Sequence, residues 1–321
     1  MTETSTTTDP THHRDISSRE QYLQVIASGF AMGSADVVPG VSGGTMAVAC
    51  GIYERLLAAI ASVNARSLLA LLRGAIGEAC GLIHYRFLAS LFLGIVMAVV
   101  IMVKVVGLPH LLLSAPTLVY SLFFGLVLAS VYILGKSISW SAREVVSLFV
   151  GALFGFAVVN LVPVDLPQSP LHMFGYGVVA ISAMLLPGIS GSFILLVLGQ
   201  YEHIIFSIEK LLHLDFSALL VVVPFGVGCL VGIGAFSRLV AWLLERFHNP
   251  VTAGLCGLLL GSLWRIWPYQ HTVTAEVHGK TKVVSATPYF PESFAITAAL
   301  LMVAGFASVL LIEVLARRRA S

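Results

Sequence analysis

The sequence PGVSGG at residues 39–44 occurs a second time, almost unchanged, as PGISGS at residues 187–192. Each copy is followed by the pattern G-x-Y-E, which begins at Gly51 in the first copy and at Gly199 in the second. The two copies are 148 positions apart (39 to 187) in a chain of 321 residues. An offset of nearly half the chain, kept over the whole block, indicates a duplicated unit.

The composition predicts a membrane protein. Hydrophobic residues make up 58% of the chain, charged residues only 11%, and the mean hydropathy is +0.94. Ordinary soluble domains carry about twice that share of charge, so a soluble fold is excluded. Because spanning segments must satisfy their own backbone hydrogen bonds, we expect an all-α polytopic membrane protein. We expect no nucleic-acid partner.

Six apolar runs are close to the length that crosses a hydrocarbon core of about 30 Å. They cover residues 87–103, 115–135, 145–164, 216–237, 251–263 and 294–312. The two repeated blocks differ from these runs because each consists of two short apolar arms around a Pro-Gly turn. We therefore predict re-entrant helical hairpins over 22–62 and 171–208, the second arms being 44–62 and 192–208. The alternative is that each block forms one kinked spanning helix.

These segments predict an inverted-topology repeat, in which each half is a re-entrant hairpin plus three transmembrane helices. The first repeat covers 19–164 and includes an interfacial helix over 64–84, and the second covers 165–316. A disordered tail (1–18) and a basic tail (317–321) lie at the ends, and the outer loop 270–289 suits a short hairpin. Most Lys and Arg residues outside the apolar runs fall on one side, which predicts that both termini are cytoplasmic.

The turns have the chemistry of a phosphate site near the membrane midplane. Helix-starting backbone N–H groups and hydroxyls donate hydrogen bonds to an anion, and glycines allow the backbone to approach it. The candidate phosphate-binding residues are Gly40, Ser42, Gly43, Gly44, Thr45, Gly188, Ser190, Gly191 and Ser192. The alternative is that the Gly and Ser residues only allow close helix packing.

Three carboxylates are candidates for proton coupling because ionisable groups at membrane depth are costly. Asp36 precedes the first turn, and the second half has methionine at the equivalent position. Glu54 and Glu202 lie 12 positions after their turn serines, about 18 Å along a continuous helical arm. The alternative is an interfacial carboxylate paired with a neighbour such as Arg55 or His203.

Basic residues supply the countercharge for an anionic ligand. Lys104 lies near the outer end of the first crossing and Arg238 near the inner end of the fourth, as expected for two gates flanking one site. The alternative is that both side chains reach toward the interface. Arg55 and Arg265 are weaker candidates of the same kind. The four cysteines form no CxxC pattern, so we expect no metal site and no cofactor.

Both turn motifs, with their G-x-Y-E patterns, resemble those of the bacterial polyprenyl-phosphate transporter family, and the resemblance covers residues 20–316. It implies a plasma-membrane flippase that returns undecaprenyl phosphate from the outer to the cytoplasmic leaflet for cell-wall (peptidoglycan) synthesis. The paired hairpins are also similar to those of DedA-type membrane proteins. The resemblance implies a lipid partner, and a homodimer is compatible with it.

Undecaprenyl-pyrophosphate phosphatases provide a competing hypothesis, because they share inverted repeats and a PGxSRSG turn. The arginine of that turn is missing here, where the sequence reads Ser42-Gly43-Gly44 and Ser190-Gly191-Ser192. A fixed cation stabilises the charge that develops on a leaving phosphate, so its absence argues against an enzyme. We therefore expect a transporter without catalytic residues, with a small-anion transporter as a third alternative. In the expected mechanism the phosphate enters the hairpin site while the polyprenyl tail stays in lipid.

Overall fold

The computed structural model describes residues 15–161, 164, 166–277, 280–292 and 295–320, most of which are helical. The first half contains α1 Arg19–Asp36, α2 Gly43–Ala49, α3 Tyr53–Ala61, α4 Ala65–Leu72, α5 Ile76–Leu82, α6 Tyr85–Val100 with a π-helical extension Ile101–Val105, α7 Leu108–Ser114, α8 Pro116–Ser137 and α9 Ala142–Val159. The second half contains α10 Pro170–Leu185, α11 Gly191–Val197, α12 Tyr201–Leu212, the 3-10 turn Phe216–Ala218, α13 Leu219–Arg246, α14 His248–Ser262, the 3-10 turn Leu263–Ile266, the antiparallel strands β1 Gln270–Val277 and β2 Lys280–Pro288, and α15 Ile296–Ala320.

Five helical segments are long and apolar enough to cross a membrane, which confirms the all-α polytopic fold. They are Tyr85–Val105, Pro116–Ser137, Ala142–Val159, Phe216–Arg246 and Ile296–Val314. The sixth predicted crossing, 251–263, corresponds to α14, whose 15 residues fall short of the usual length of about 20. Counting each bent helix pair described below as one span raises the number to seven.

The second arm of each predicted hairpin is bent rather than continuous. α2 and α3 meet at an angle of 119°, and α11 and α12 meet at 110°. The bend lies at the glycine of each G-x-Y-E pattern, where Gly51 has a φ of +68° and Gly199 a φ of +67°. A left-handed glycine typically ends a helix, so Tyr53 and Tyr201 begin new ones. The prediction of continuous arms over 44–62 and 192–208 was therefore wrong.

Equivalent helix pairs form in the two halves through equivalent glycines. A Cβ on Gly94 of α6 would lie 2.1 Å from the Ile26 carbonyl oxygen of α1. A Cβ on Gly228 of α13 would lie 2.1 Å from the Phe174 carbonyl oxygen of α10. Ile26 and Phe174 are themselves 148 positions apart. α8 packs along α15 and α9 along α14, so each of these pairs joins one helix from each half.

Two apolar clefts repeat the same pattern. One, with a volume of about 500 Å³, lies between α1, α2, α8 and α15, and the other, of about 390 Å³, lies between α9, α10, α11 and α13. Six positions that line the first recur at an offset of 148 in the second. They are Phe30, Ala31, Ser34, Met46, Ala49 and Cys50, which correspond to Val178, Val179, Ser182, Ile194, Val197 and Leu198.

The ends of the chain and the interfacial segment differ from their predictions. Asp15 accepts hydrogen bonds from the backbone N–H groups of Arg86 and Phe87, and Ile16 is fully buried. The last residues of the predicted disordered tail 1–18 are therefore packed, while residues 1–14 lie outside the described residues. The predicted interfacial helix 64–84 is two short helices, α4 and α5, and the predicted tail 317–321 continues α15 to Ala320.

Candidate functional site

The two Pro-Gly turns have the same backbone conformation. Gly40 and Gly188 both have a φ of +86°, in the left-handed region that favours glycine. Ser42 and Ser190 are both in extended conformation, each at the residue immediately before its helix, α2 or α11. The sequence repeat therefore corresponds to a repeat in local structure at the turns.

The turns of the two halves contact each other. The Gly188 backbone N–H donates a hydrogen bond to Thr45 Oγ1 at 2.9 Å. The Tyr53 hydroxyl donates to the Leu185 carbonyl oxygen, also at 2.9 Å. These bonds join residues more than 130 positions apart in sequence. The structure thus brings together the two turns that contain all the predicted phosphate-binding residues.

The first two N–H groups of α2 are bonded within the first half of the chain. Asp36 Oδ1 accepts a hydrogen bond from the Gly43 backbone N–H at 2.7 Å, and Ser42 Oγ accepts one from the Gly44 N–H at 3.2 Å. The Ser42 and Thr45 side chains are each 1% exposed. A carboxylate of the protein therefore already stands where the start of α2 could face an anion, and the two hydroxyls are buried.

The serines of the second turn are more accessible, although Pro187, Gly188 and Ile189 are buried. Met184 takes the place of Asp36, so the position equivalent to Asp36 carries no carboxylate in the second half. Ser190 Oγ and Ser192 Oγ lie 2.8 Å apart, with Ser190 partly buried and Ser192 exposed. Of the four hydroxyl side chains predicted to bind phosphate, these two are the ones that a ligand reaches.

Arg265 lies between the turns, and the sequence analysis ranked it low. Its guanidinium carbon is 5.1 Å from the centre of the Phe193 ring, in α11 next to Ser192. Its Cγ would lie 3.0 Å from a Cβ on Gly40, in the first turn. The signal available in the sequence was an arginine beside an apolar run, but which turn it faces depends on the 3-10 turn Leu263–Ile266 that follows α14.

Tyr120 of α8 also contacts the first turn. Its hydroxyl donates a hydrogen bond to the Pro39 carbonyl oxygen at 3.3 Å. Because α8 is one of the apolar segments long enough to span, this bond anchors the turn to a membrane helix.

The glutamates of the G-x-Y-E patterns do not line the turns. The bends at Gly51 and Gly199 remove the basis for placing Glu54 and Glu202 about 18 Å along a straight arm. Glu54 Oε1 lies 3.0 Å from His248 Nε2, at the start of α14, and both side chains are about half exposed. Glu54 borders a cavity of about 280 Å³ that is also lined by Tyr53.

The other predicted charged residues do not meet at the turns either. Arg55 stacks over the Phe87 ring, with its guanidinium carbon 5.2 Å from the ring centre. Arg238 donates hydrogen bonds to backbone carbonyls at the end of α3. Lys104 is exposed in the π-helical extension of α6. The cation that the structure places between the turns is therefore Arg265.

Comparison with known proteins gives one family. The family model described as "Undecaprenyl phosphate translocase-like" matches residues 32–284. A protein of Vibrio cholerae named "Polyprenyl-phosphate transporter" is 36% identical over 264 residues, covering 82% of this chain and 83% of that protein. A protein of Staphylococcus aureus with the same name is 30% identical over 257 residues, covering 76% of this chain and 85% of that protein. No solved structure matches the chain significantly.

Proposed function

Because the chain belongs to the undecaprenyl phosphate translocase-like family, we propose that it transports a polyprenyl phosphate across the bacterial plasma membrane. The observation that carries the proposal is the contact between the two turns with Arg265 beside them. The relatives that cover most of this chain are named as transporters, which favours transport over phosphate hydrolysis.

The phosphate would bind at the second turn. The Ser190 and Ser192 hydroxyls are the accessible donors, and Arg265 is the nearby fixed cation. A guanidinium donates two parallel hydrogen bonds to phosphate oxygens, so it recognises the group by geometry as well as by charge. The residues of the first turn, Gly40 to Thr45, would support the site from behind, through Thr45 and its bond to Gly188.

The polyprenyl chain would remain in apolar surroundings throughout. The two repeated clefts are lined almost completely by hydrophobic side chains. Because one cleft lies in each half, the polyprenyl chain would have a similar apolar environment on either side of the phosphate site. The headgroup is then the part of the lipid that needs a polar path.

The transport cycle would use the two halves as an inverted repeat. The equivalent glycine contacts and the equivalent clefts support the duplication. With both termini cytoplasmic, the first hairpin would open to the cytoplasm and the second to the outside. Rocking of the halves around the turns would then carry the phosphate from the outer to the cytoplasmic leaflet. A homodimer is compatible with this cycle.

Proton coupling through Asp36, Glu54 or Glu202 would set the direction of lipid transport. Asp36 is the candidate in contact with a turn, through Gly43. Transport by Asp36→Asn, Glu54→Gln and Glu202→Gln should lose its response to an imposed pH gradient if the altered residue carries the proton. If all three variants respond to the pH gradient as strongly as the unaltered protein does, coupling through these side chains is rejected.

The test of function is a leaflet-crossing assay with the purified full chain in liposomes. A polyprenyl phosphate is placed in one leaflet, and an impermeant phosphate-binding probe reports its arrival in the other. Protein-dependent crossing without released phosphate is the expected result. Release of phosphate from the pyrophosphate form would indicate a phosphatase, and uptake of free phosphate without lipid crossing would indicate a small-anion transporter. Either result would overturn the proposal.

A further inference from the structure

Lys104 and Arg238 occupy equivalent positions in the two halves. Gly94 and Gly228, which make equivalent contacts with α1 and α10, are 134 positions apart (94 to 228). Lys104 and Arg238 are separated by the same 134 positions (104 to 238), one on the extension of α6 and the other on α13. The duplication therefore places one basic side chain at the same point of each helix pair.

Arg238 fastens the end of α3 to α13. Its Nη2 donates hydrogen bonds to the carbonyl oxygens of Val63, at 2.7 Å, and Ala61, at 3.4 Å. Its Nη1 donates to the Gly234 carbonyl oxygen within α13, at 2.8 Å. A cation at the carbonyl end of a helix is favourable because it meets unpaired acceptors and the negative end of the helix dipole. α3 packs along α13 as a result, and Leu57 of α3 is fully buried.

The equivalent contact in the other half is open. Lys104 is exposed and has no hydrogen bond or ion pair within the part of the chain that the structure describes. Among the residues described, α12, the counterpart of α3, has no packing against α6 comparable to that of α3 against α13. Ile205, which is equivalent to Leu57, is 43% exposed. The extension that carries Lys104 is π-helical, whereas α13 is α-helical at Arg238.

We propose that Arg238 and Lys104 are two alternating clamps, and that this structure shows the state in which the Arg238 clamp is closed. In the opposite state, Lys104 donates to the carbonyl oxygens of Glu209 and Leu211, which lie 148 positions after Ala61 and Val63. In this structure these two oxygens accept hydrogen bonds from the backbone N–H groups of His213 and Leu214, so Lys104 uses their second lone pairs. Arg238 then releases α3. The inference rests on the proposed transport by alternating access, in which opening one side requires closing the other.

The clamps make the two conformations distinguishable by two matched distances. In a background without the native cysteines, spin labels at Ala61→Cys and Leu239→Cys span the closed side. Labels at the equivalent positions, Glu209→Cys and Val105→Cys, span the open side. Pulsed electron paramagnetic resonance in lipid nanodiscs, without polyprenyl phosphate, measures both distances. With Arg238 and Lys104 both unchanged, the 61–239 distance should be shorter than the 105–209 distance.

Removing each clamp should shift the populations in opposite directions. Arg238→Gln should lengthen the 61–239 distance and shorten the 105–209 distance, changing the ratio of the two states about tenfold, because hydrogen bonds to a charged group are lost. Lys104→Gln should reduce the population with a short 105–209 distance by a similar factor. Arg238→Lys, which keeps a cationic donor, should fall between Arg238→Gln and the unaltered protein.

Arg246→Gln is the matched control, because it removes an exposed positive charge from the end of the same helix. Arg246→Gln should leave both distances unchanged. Unchanged distances in both Arg238→Gln and Lys104→Gln, or a shift of both variants in the same direction, would overturn the proposal. If Arg238→Gln does not fold, Lys104→Gln and Arg238→Lys still test it. If the two variants shift the distances in opposite directions but the protein moves no lipid, the clamp proposal stands and the proposed function is rejected.

Discussion

The two hairpins share a motif and a backbone conformation, but they have different surroundings. Residues 41–45 of the first turn are buried, and the Gly43 and Gly44 N–H groups donate to Asp36 and Ser42. Thr45 Oγ1 accepts a hydrogen bond from the Gly188 N–H of the opposite turn. The second turn exposes Ser192 and lies against Arg265. A duplicated motif has thus become a support in one copy and an accessible surface in the other.

Three pairs of residues at the 148-position offset account for the difference. Asp36 is replaced by Met184, which removes an internal carboxylate from the second turn. Thr45 is replaced by Phe193, which gives Arg265 an aromatic face. Gly44 is replaced by Ser192, which adds a hydroxyl where the first turn has none. Each change makes the second turn more suitable for an anion.

The largest expected effect follows removal of the cation between the turns. Arg265→Gln should weaken polyprenyl phosphate binding about 10- to 100-fold, since a hydrogen bond to a charged group is worth about 1.5–3 kcal/mol. Binding of the lipid to the purified protein measures the loss. Arg246→Gln, far along the sequence from either turn, should bind as the original chain does. Equal affinity in both variants would place the phosphate away from Arg265.

A carboxylate introduced at the second turn should make that turn resemble the first turn and less suitable for an anion. Met184→Asp places that group at the position equivalent to Asp36, within reach of the Gly191 backbone N–H. We expect about tenfold weaker binding of polyprenyl phosphate, because like charges in one site repel each other. Met184→Leu, measured in the same binding assay, should have little effect. A Met184→Asp variant with full affinity would show that the second turn does not face the phosphate.

The serines of the two turns should respond differently to the loss of their hydroxyls. The double variant Ser190→Ala, Ser192→Ala should lower lipid affinity about threefold to tenfold, with little change in stability, because neutral hydrogen bonds are modest in strength. Ser42→Ala should instead lower the free energy of unfolding by about 1 kcal/mol, since Ser42 caps α2. Its affinity should be unchanged. Binding and thermal unfolding in detergent separate the two effects, and the reverse pattern would invert the roles given to the turns.

The sequence was sufficient to predict the fold class, the duplicated turns and five of the six proposed membrane helices, because these depend on hydropathy and on glycine and proline chemistry. The bend after α2 had a local signal in Gly51, but a single glycine inside an apolar run does not distinguish a helix end from a close contact. The replacement of Asp36 by Met184 was visible in the sequence, but the contact between the two turns depends on hydrogen bonds over more than 130 positions. Arg265 was underestimated for the same reason, since its neighbours come from α11 and the first turn.

The smallest expected effect is the pH dependence of stability that comes from the Glu54–His248 pair of the first hairpin. The hydrogen bond with Glu54 raises the pKa of His248 above its usual value, and partial burial opposes it. A raised pKa in the folded state means that this stabilisation is fully present below about pH 6.5 and is lost as pH rises through the raised value. Both side chains are about half exposed, so the contribution should remain below about 1 kcal/mol. Unfolding measured from pH 5.5 to 8.5, a range of roughly three units around the histidine pKa, should show this decline.

His248→Gln should remove that part of the pH dependence, because a neutral amide does not titrate. Glu202→Gln provides the comparison in the other hairpin, since Glu202 is the equivalent of Glu54. The decline should persist in Glu202→Gln and disappear in Glu54→Gln, because the bond to His248 belongs to the first hairpin. A decline that survives in both His248→Gln and Glu54→Gln would assign it to another group. A decline lost only in Glu202→Gln would place the sensitive contact on the second hairpin, where the turn is open.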